Sequence, residues 1–290
     1  MKSLETCPVC SHNTFEKHLD VVDHMITKEP FTIVRCTSCG FHFTQPRPEE
    51  NVIGNYYKSE EYVSHSSSNK GIINTLYGLV RNKTLRQKVN WVSSFAKGKE
   101  LLDVGCGTGH FLHAAQTKGF HAIGLEPDED ARKFAQEQNN VKVCPLTELY
   151  TLRENTFDVI TMWHVLEHVY HLNEDIAQLK GLLKNNGYLF VAVPNMNSYD
   201  AFYYKEFWAA YDVPRHLYHF KKPDIERLFL NHGFDLKQII PMKYDAYYVS
   251  MLSEKYKKGS MINAVLRGFL SNLKSKKLGY SSQVYVLRPK

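Results

Sequence analysis

Three sets of residues in this chain have the types and spacing to do chemistry. The first is Gly105-Cys106-Gly107-Thr108-Gly109, entered from Leu101-Leu102-Asp103-Val104 and left through Phe111-Leu112. Glycines at alternate positions between a strand and a helix bring backbone N–H groups close to a ligand, and the helix start leaves those groups unpaired. Glu126 follows about twenty residues later, after Ile123-Gly124-Leu125, where a carboxylate can accept from both hydroxyls of a ribose. The loop reads GxGxG rather than the GxGxxG of a dinucleotide cradle, so it suits a nucleoside ligand without a pyrophosphate. Asp103, at the strand end, can face an ammonium group of such a ligand. The second set is Cys7-Pro8-Val9-Cys10 and Cys36-Thr37-Ser38-Cys39. Two tight turns with two thiolates each can close a tetrahedral Zn²⁺ site, and four thiolates leave no open position, so the metal would be structural. The third set is histidine-rich: His164 and His168 in one stretch, and Arg215, His216, Tyr218 and His219 in another. Imidazole can remove a proton from a hydroxyl or an acidic carbon near neutral pH, and arginine suits a phosphate or carboxylate.

These sets need elements to hold them. The chain has 290 residues, 43% of them hydrophobic, which suffices for one large α/β domain with a small appendage. No apolar run is long enough to span a bilayer, and the first residues lack the apolar stretch of a signal peptide, so the expected compartment is the cytoplasm. A net charge of +6 permits an acidic small molecule without demanding nucleic acid. Residues 1–48 read as a zinc-ribbon-like module closed by the stiff linker Gln45-Pro46-Arg47-Pro48. Residues 49–97 read as a helical connector with a mobile polar break at 64–68. Residues 98–290 alternate strand and helix, the pattern of a Rossmann-like, mostly parallel sheet with helices on both faces. An aromatic-rich insertion at 195–222 follows the strand at Tyr188 to Val193.

The segment 101–112 resembles motif I of the class I S-adenosylmethionine (SAM)-dependent methyltransferases. Phe157-Asp158-Val159-Ile160-Thr161-Met162-Trp163-His164-Val165-Leu166-Glu167-His168-Val169 resembles the strand-four motif of that superfamily's small-molecule branch, and Leu182 to Leu189 its strand-five turn. The resemblance implies a seven-stranded sheet and SAM as cofactor. It puts Asp103 on the methionine ammonium, Glu126 on the ribose, the backbone of Gly105, Cys106, Gly107 and Gly109 around the ligand, and the N–H groups of Leu146 or Thr147 on adenine. Trp163 and His164 then lie near the methyl position.

The acceptor side leaves more than one reading open. The insertion follows strand five, where acceptors approach the methyl, so His216 is expected as general base with Arg215 and Tyr218 orienting the acceptor. If this stretch is extended, His216 and Tyr218 share a side and His219 faces the other way. His164 is the alternative base. A four-cysteine unit ahead of such a domain resembles the sugar C-methyltransferases, which implies a sugar, nucleotide sugar or glycan precursor, lipid-linked glycans included, methylated on oxygen or carbon. An RNA methyltransferase using the zinc module is the main rival. It is disfavoured because Met162-Trp163-His164-Val165 stands where base N-methyltransferases carry Asn/Asp-Pro-Pro-aromatic. A non-catalytic SAM-fold interaction subunit is the third reading. Ile262, Val265, Leu266, Phe269, Leu270 and Leu273 fall at helical spacing beside several lysines, so 262–277 can be a lid, a core helix or a peripheral membrane contact.

Overall fold

A computed structural model describes residues 1–57 and 72–290, the side chains of 72–77 and 79 excepted. The expected loop at 64–68 lies outside the described residues.

The glycine-turn strand β4 (Glu100–Val104) is an interior strand of a seven-stranded sheet. On one side come β5 (His121–Leu125) and β6 (Lys142–Cys144). On the other come β7 (Phe157–Trp163), β8 (Leu183–Pro194), β11 (Ser282–Pro289) and β10 (Phe234–Pro241). The pairs from β6 to β8 are parallel, and β11 runs against both of its neighbours. Strands buried on both faces explain the near-continuous apolar runs Leu101-Leu102 and Val159-Ile160. β8 begins at Leu183 rather than Tyr188. It takes in Asn185-Asn186-Gly187, which reads as a turn in sequence, and the pairing with β7 is irregular between Phe157 and Val159 as a result.

The helices are α1 (Ile72–Phe95), α2 (His110–Thr117), α3 (Glu129–Asn139), α4 (Leu172–Leu182), α5 (Tyr199–Tyr204), α6 (Lys222–Asn231), α7 (Asp245–Lys257) and α8 (Met261–Leu278). Asp128 caps α3 by accepting from the N–H of Ala131. α1 is one helix where the sequence shows two apolar runs. Its Val89 and Val92 are buried against Leu101, Phe111 and Phe190. α7 buries Ala246, Val249, Ser250 and Ser253, so half of that set is polar.

The cysteine-bearing segment forms β1 (Phe15–Val22), β2 (Pro30–Cys36) and β3 (His42–Thr44), all antiparallel. A fourth strand, β9 (Tyr218–His219), comes from the insertion and pairs with β3. The seam between the module and the rest is therefore continuous. Phe41 and Phe43 share one core with Leu166, Leu217 and Phe220. The linker expected at 45–48 is not free chain. Arg47 is buried, its backbone pairs with Lys2, and its guanidinium lies over the rings of Tyr170 and Tyr218.

Candidate active site and cysteine cluster

The expected cofactor residues converge at the C-terminal ends of β4, β5 and β7. Gly107 has φ +54°, and a Cβ added there would meet nothing within 4 Å, so its outer side is open to a ligand. Gly109 has φ +77° at the start of α2, where a Cβ would strike Val141 at 2.7 Å and Ala135 at 2.9 Å. One glycine therefore opens the cradle, and the other lets α2 seat on α3.

Glu126 is buried and accepts from the N–H of Gly107 at 2.8 Å and of Asp128 at 3.0 Å. Burial pushes its carboxyl above the usual range, against those two donors. Each of its oxygens has a second lone pair for a ribose hydroxyl. Asp103 is fully buried. Burial lifts its carboxyl to about 7, against the Thr161 hydroxyl donating to it and the charge of Lys88. The Thr161 bond is 2.6 Å long. Cys106 packs its Sγ where a Cβ on Gly124 would sit and contributes backbone to the loop. Leu146 and Thr147 open the short 3-10 helix Leu146–Tyr150, whose first N–H groups have no intrahelical partner. The indole N–H of Trp163 is buried without a hydrogen-bond partner among the described residues. An open glycine, paired acids and an orphaned buried donor fit a nucleoside ligand with a cationic tail.

His164 follows Trp163 in a left-handed conformation, φ +60°, a strained setting for a residue with a side chain. Its Nε2 lies 3.0 Å from Asp245 Oδ2 and its Nδ1 3.4 Å from Glu167 Oε1. Although burial favours the neutral ring, these two carboxylates raise its pKa to about 9. The side chain is 32% exposed. Lys88 stands beside this group with its Nζ 4.4 Å from the centre of the Trp163 ring, in the fields of Asp245 and Asp103. Sequence reasoning missed Lys88 and Asp245. Lys88 had a signal, because it falls on the apolar face of α1 between Leu85 and Val92, where a charge needs a reason. Asp245 had none.

The insertion residues go elsewhere. Arg215 is 2% exposed, and its guanidinium bonds Asp23 at 2.9 Å, Asp212 at 2.6 Å and the carbonyl of Tyr56 at 2.8 Å. It ties the cysteine module to the insertion and has no face left for an acceptor. His216 is buried, with Nδ1 on the carbonyl of Ala210 and its ring 4.6 Å from that of His168. Tyr218 points into the four-stranded sheet, where its hydroxyl accepts from Arg47. β9 starts only at Tyr218, and residue 216 lies before it with its N–H on the carbonyl of Asp212, so the extended run on which a shared side of His216 and Tyr218 depends is not formed. His219 bonds the Thr44 hydroxyl inside the same seam.

Behind His164, Glu167 is a buried carboxylate with neither oxygen in hydrogen-bond geometry with a described partner. Its ligand atoms, with those of His168 and His216, lie within 4.8 Å of one another and could hold a cation. Burial and His216 push the His168 pKa down to about 4, so this ring is neutral.

The four cysteines converge as their spacing predicts. Cys7 Sγ lies 3.6 Å from Cys39 Sγ, and Cys10 Sγ lies 3.6 Å from Cys36 Sγ. That is too far for disulfides and close to the ~3.8 Å edge of a tetrahedron with metal–sulfur bonds of about 2.3 Å. The donor set and its size fit one zinc ion.

Residues 79–239 match a family model described as a methyltransferase domain. Among curated relatives, an enzyme named ubiquinone biosynthesis O-methyltransferase from Bordetella avium is 31% identical over 120 residues, 38% of this chain and 50% of that protein. One of the same name from Coxiella burnetii is 33% identical over 124 residues, 41% of this chain and 51% of that protein. The chain thus spans about half the length of these relatives. Among solved structures, magnesium protoporphyrin IX methyltransferase from Synechocystis PCC 6803 aligns with TM-score 0.56 at 14% identity, over 83% of this chain and 100% of that one. A SAM dependent methyltransferase from Archaeoglobus fulgidus aligns with TM-score 0.50 at 19% identity, over 72% of this chain and 94% of that one. At such identities these two establish a common fold and nothing finer.

Proposed function

The chain belongs to the methyltransferase-domain family, and from that premise we propose that it moves a methyl group from SAM to a small-molecule acceptor, on oxygen. One observation carries the reading: Asp103, in β4, and Glu126, just past the end of the adjacent β5, flank a glycine turn whose open side faces outward. Bound SAM supplies an electrophilic methyl. Asp103 would face its ammonium, Glu126 its ribose, the N–H groups of Leu146 and Thr147 its adenine, and Trp163 its sulfonium end.

His164 would take the acceptor's proton. It is the histidine at the end of β7, it is partly exposed, and two carboxylates raise its proton affinity. His216 would hold Glu167 and His168 in place rather than meet the acceptor. The names of the curated relatives support oxygen as the target. A nucleotide sugar draws less support than the sequence suggests, because Arg215 is fully engaged by Asp23 and Asp212. A structural zinc on Cys7, Cys10, Cys36 and Cys39 would close the module.

Two measurements test the cofactor half. Glu126→Ala should weaken SAM binding at least about tenfold, since hydrogen bonds to a charged acceptor contribute about 1.5–3 kcal/mol each. Unchanged affinity by calorimetry would show the pocket to be elsewhere. SAM affinity should also depend on pH. Asp103 in the free protein carries a pKa of about 7, and a cationic ligand favours its carboxylate, so binding expels a proton at and below that pH. Affinity should rise from pH 6 and level off above about 7.5. Calorimetry in buffers of different ionisation enthalpy should register the proton, and Asp103→Asn should flatten the slope. A flat profile in the unmodified protein would remove Asp103 from the ammonium site.

A further inference from the structure

The last helix is built inside out. Along α8 the residues facing the protein are small: Ala264, Gly268, Ser271 and Ser275 are buried. Gly268 presses on α7, and a Cβ there would stand 2.9 Å from the Cα of Tyr247. The residues facing away are large and apolar. Ile262 is 83% exposed and Leu273 65%, with Val265, Leu266 and Phe269 about half exposed between them. Their spacing of three, four and seven places these five side chains on one stripe. A helix that closes a core does the reverse. Scattered exposed apolar residues are ordinary, but a contiguous stripe marks a contact surface.

Charge identifies the contact. Residues 243–278 hold eight Lys and Arg against two Asp and Glu, so this helical hairpin carries the whole +6 of the chain. Lys276 and Lys277 are exposed in the last turn of α8, and Arg267 and Lys274 flank the helix over the rings of Tyr203 and Tyr199. No helix among the described residues is long and apolar enough to cross a membrane. We propose that this face docks on the surface of an anionic phospholipid bilayer, with α8 lying in the interface and its apolar stripe below the headgroups.

Two other occupants fit less well. A second copy would bring two strongly positive hairpins face to face. A nucleic acid would meet four aliphatic side chains and a single aromatic one, Phe269, where its phosphates and bases need polar groups and stacking rings. The docking does not depend on the methyl-transfer reading, but it bears on it. Phe269 and Leu273 also line a cavity of ≈ 710 Å³ together with Trp91, Tyr244 and Asp245, the carboxylate that bonds His164. A bilayer under α8 would therefore lie beside the mouth of that cavity.

The test uses the full chain and floating lipid vesicles. The protein should rise with vesicles of phosphatidylcholine mixed with phosphatidylglycerol and far less with phosphatidylcholine alone. Ile262→Ser/Val265→Ser/Leu266→Ser, at exposed positions away from the cavity, should lower vesicle affinity at least about tenfold with the melting temperature unchanged. Lys276→Gln/Lys277→Gln should lower it by about fivefold per lysine, on anionic vesicles alone. Failure to bind anionic vesicles would overturn the proposal. So would a dimer that the triple variant dissolves, or tighter binding to single-stranded RNA than to vesicles.

Discussion

Replacing Cys36 by serine, or treating the protein with a zinc chelator, should unfold the three-stranded cysteine module and lower the thermal stability of the whole chain. The module's own core is small: Val9, Val21, Phe31, Ile33, Phe41 and Phe43 are its large buried apolar residues. Structural zinc sites of four ligands contribute apparent binding energies of about 10–16 kcal/mol in small peptides, against a total stability of about 5–15 kcal/mol for an ordinary domain. No hydrophobic contact in the module approaches that. The damage should reach further, because β9 pairs with β3 and Asp23 holds Arg215. SAM binding at β4 and β5 should survive better than turnover. Elemental analysis should find one zinc per chain. A metal-free protein whose four thiols react freely, and whose melting is indifferent to chelator, would defeat the assignment.

Removing the imidazole of His164 should have the largest effect on turnover. A placed base contributes about a hundred- to ten-thousand-fold, so His164→Ala should lose activity by that order while SAM affinity holds. The pH profile distinguishes a proton-transfer role from a merely structural one. With a pKa near 9 in the free protein, His164 is mostly protonated at neutral pH, and kcat/KM should climb with pH toward that value. Asp245→Asn removes one of the two carboxylates that raise it, so the climb should move to lower pH. His216→Ala should cost much less, and His219→Ala should act mainly on stability through its bond to Thr44. If His216→Ala abolished turnover and His164→Ala spared it, the base would belong to the insertion after all.

The parts of the molecule that were legible in sequence are those specified by local pattern. Gly105 to Gly109 between an apolar strand and a helix, Glu126 at the next strand end, and two CxxC turns each need only neighbours in the chain to be recognised. The alternation of strand and helix marks a mostly parallel sheet, and the resemblance to the SAM-dependent methyltransferases implies its seven strands, which the structure has. The acceptor side was not legible in the same way. His164 meets Asp245 across 81 positions, and Arg215 meets Asp23 across 192. Nothing local marks either partner. The condition on which His216 and Tyr218 would share a side, an extended stretch, is met only from Tyr218, since Tyr218 and His219 alone pair as strand and the chain before them turns through Asp212 in a left-handed conformation. Beyond His164 itself, a charge on an apolar helix face, as at Lys88, was a hint of the polar cluster.

The seam between module and insertion has a consequence for how such a chain could diversify. Thr44 and His216 stand 172 positions apart yet share a hydrogen bond. The same seam includes the Asp23–Arg215 ion pair and the β3–β9 ladder. Recombination that exchanged only the insertion would orphan the buried Asp23 carboxylate and strip β3 of its neighbour. The two segments are coupled in packing, and an insertion exchanged alone would have to keep an arginine for Asp23 and a strand for β3.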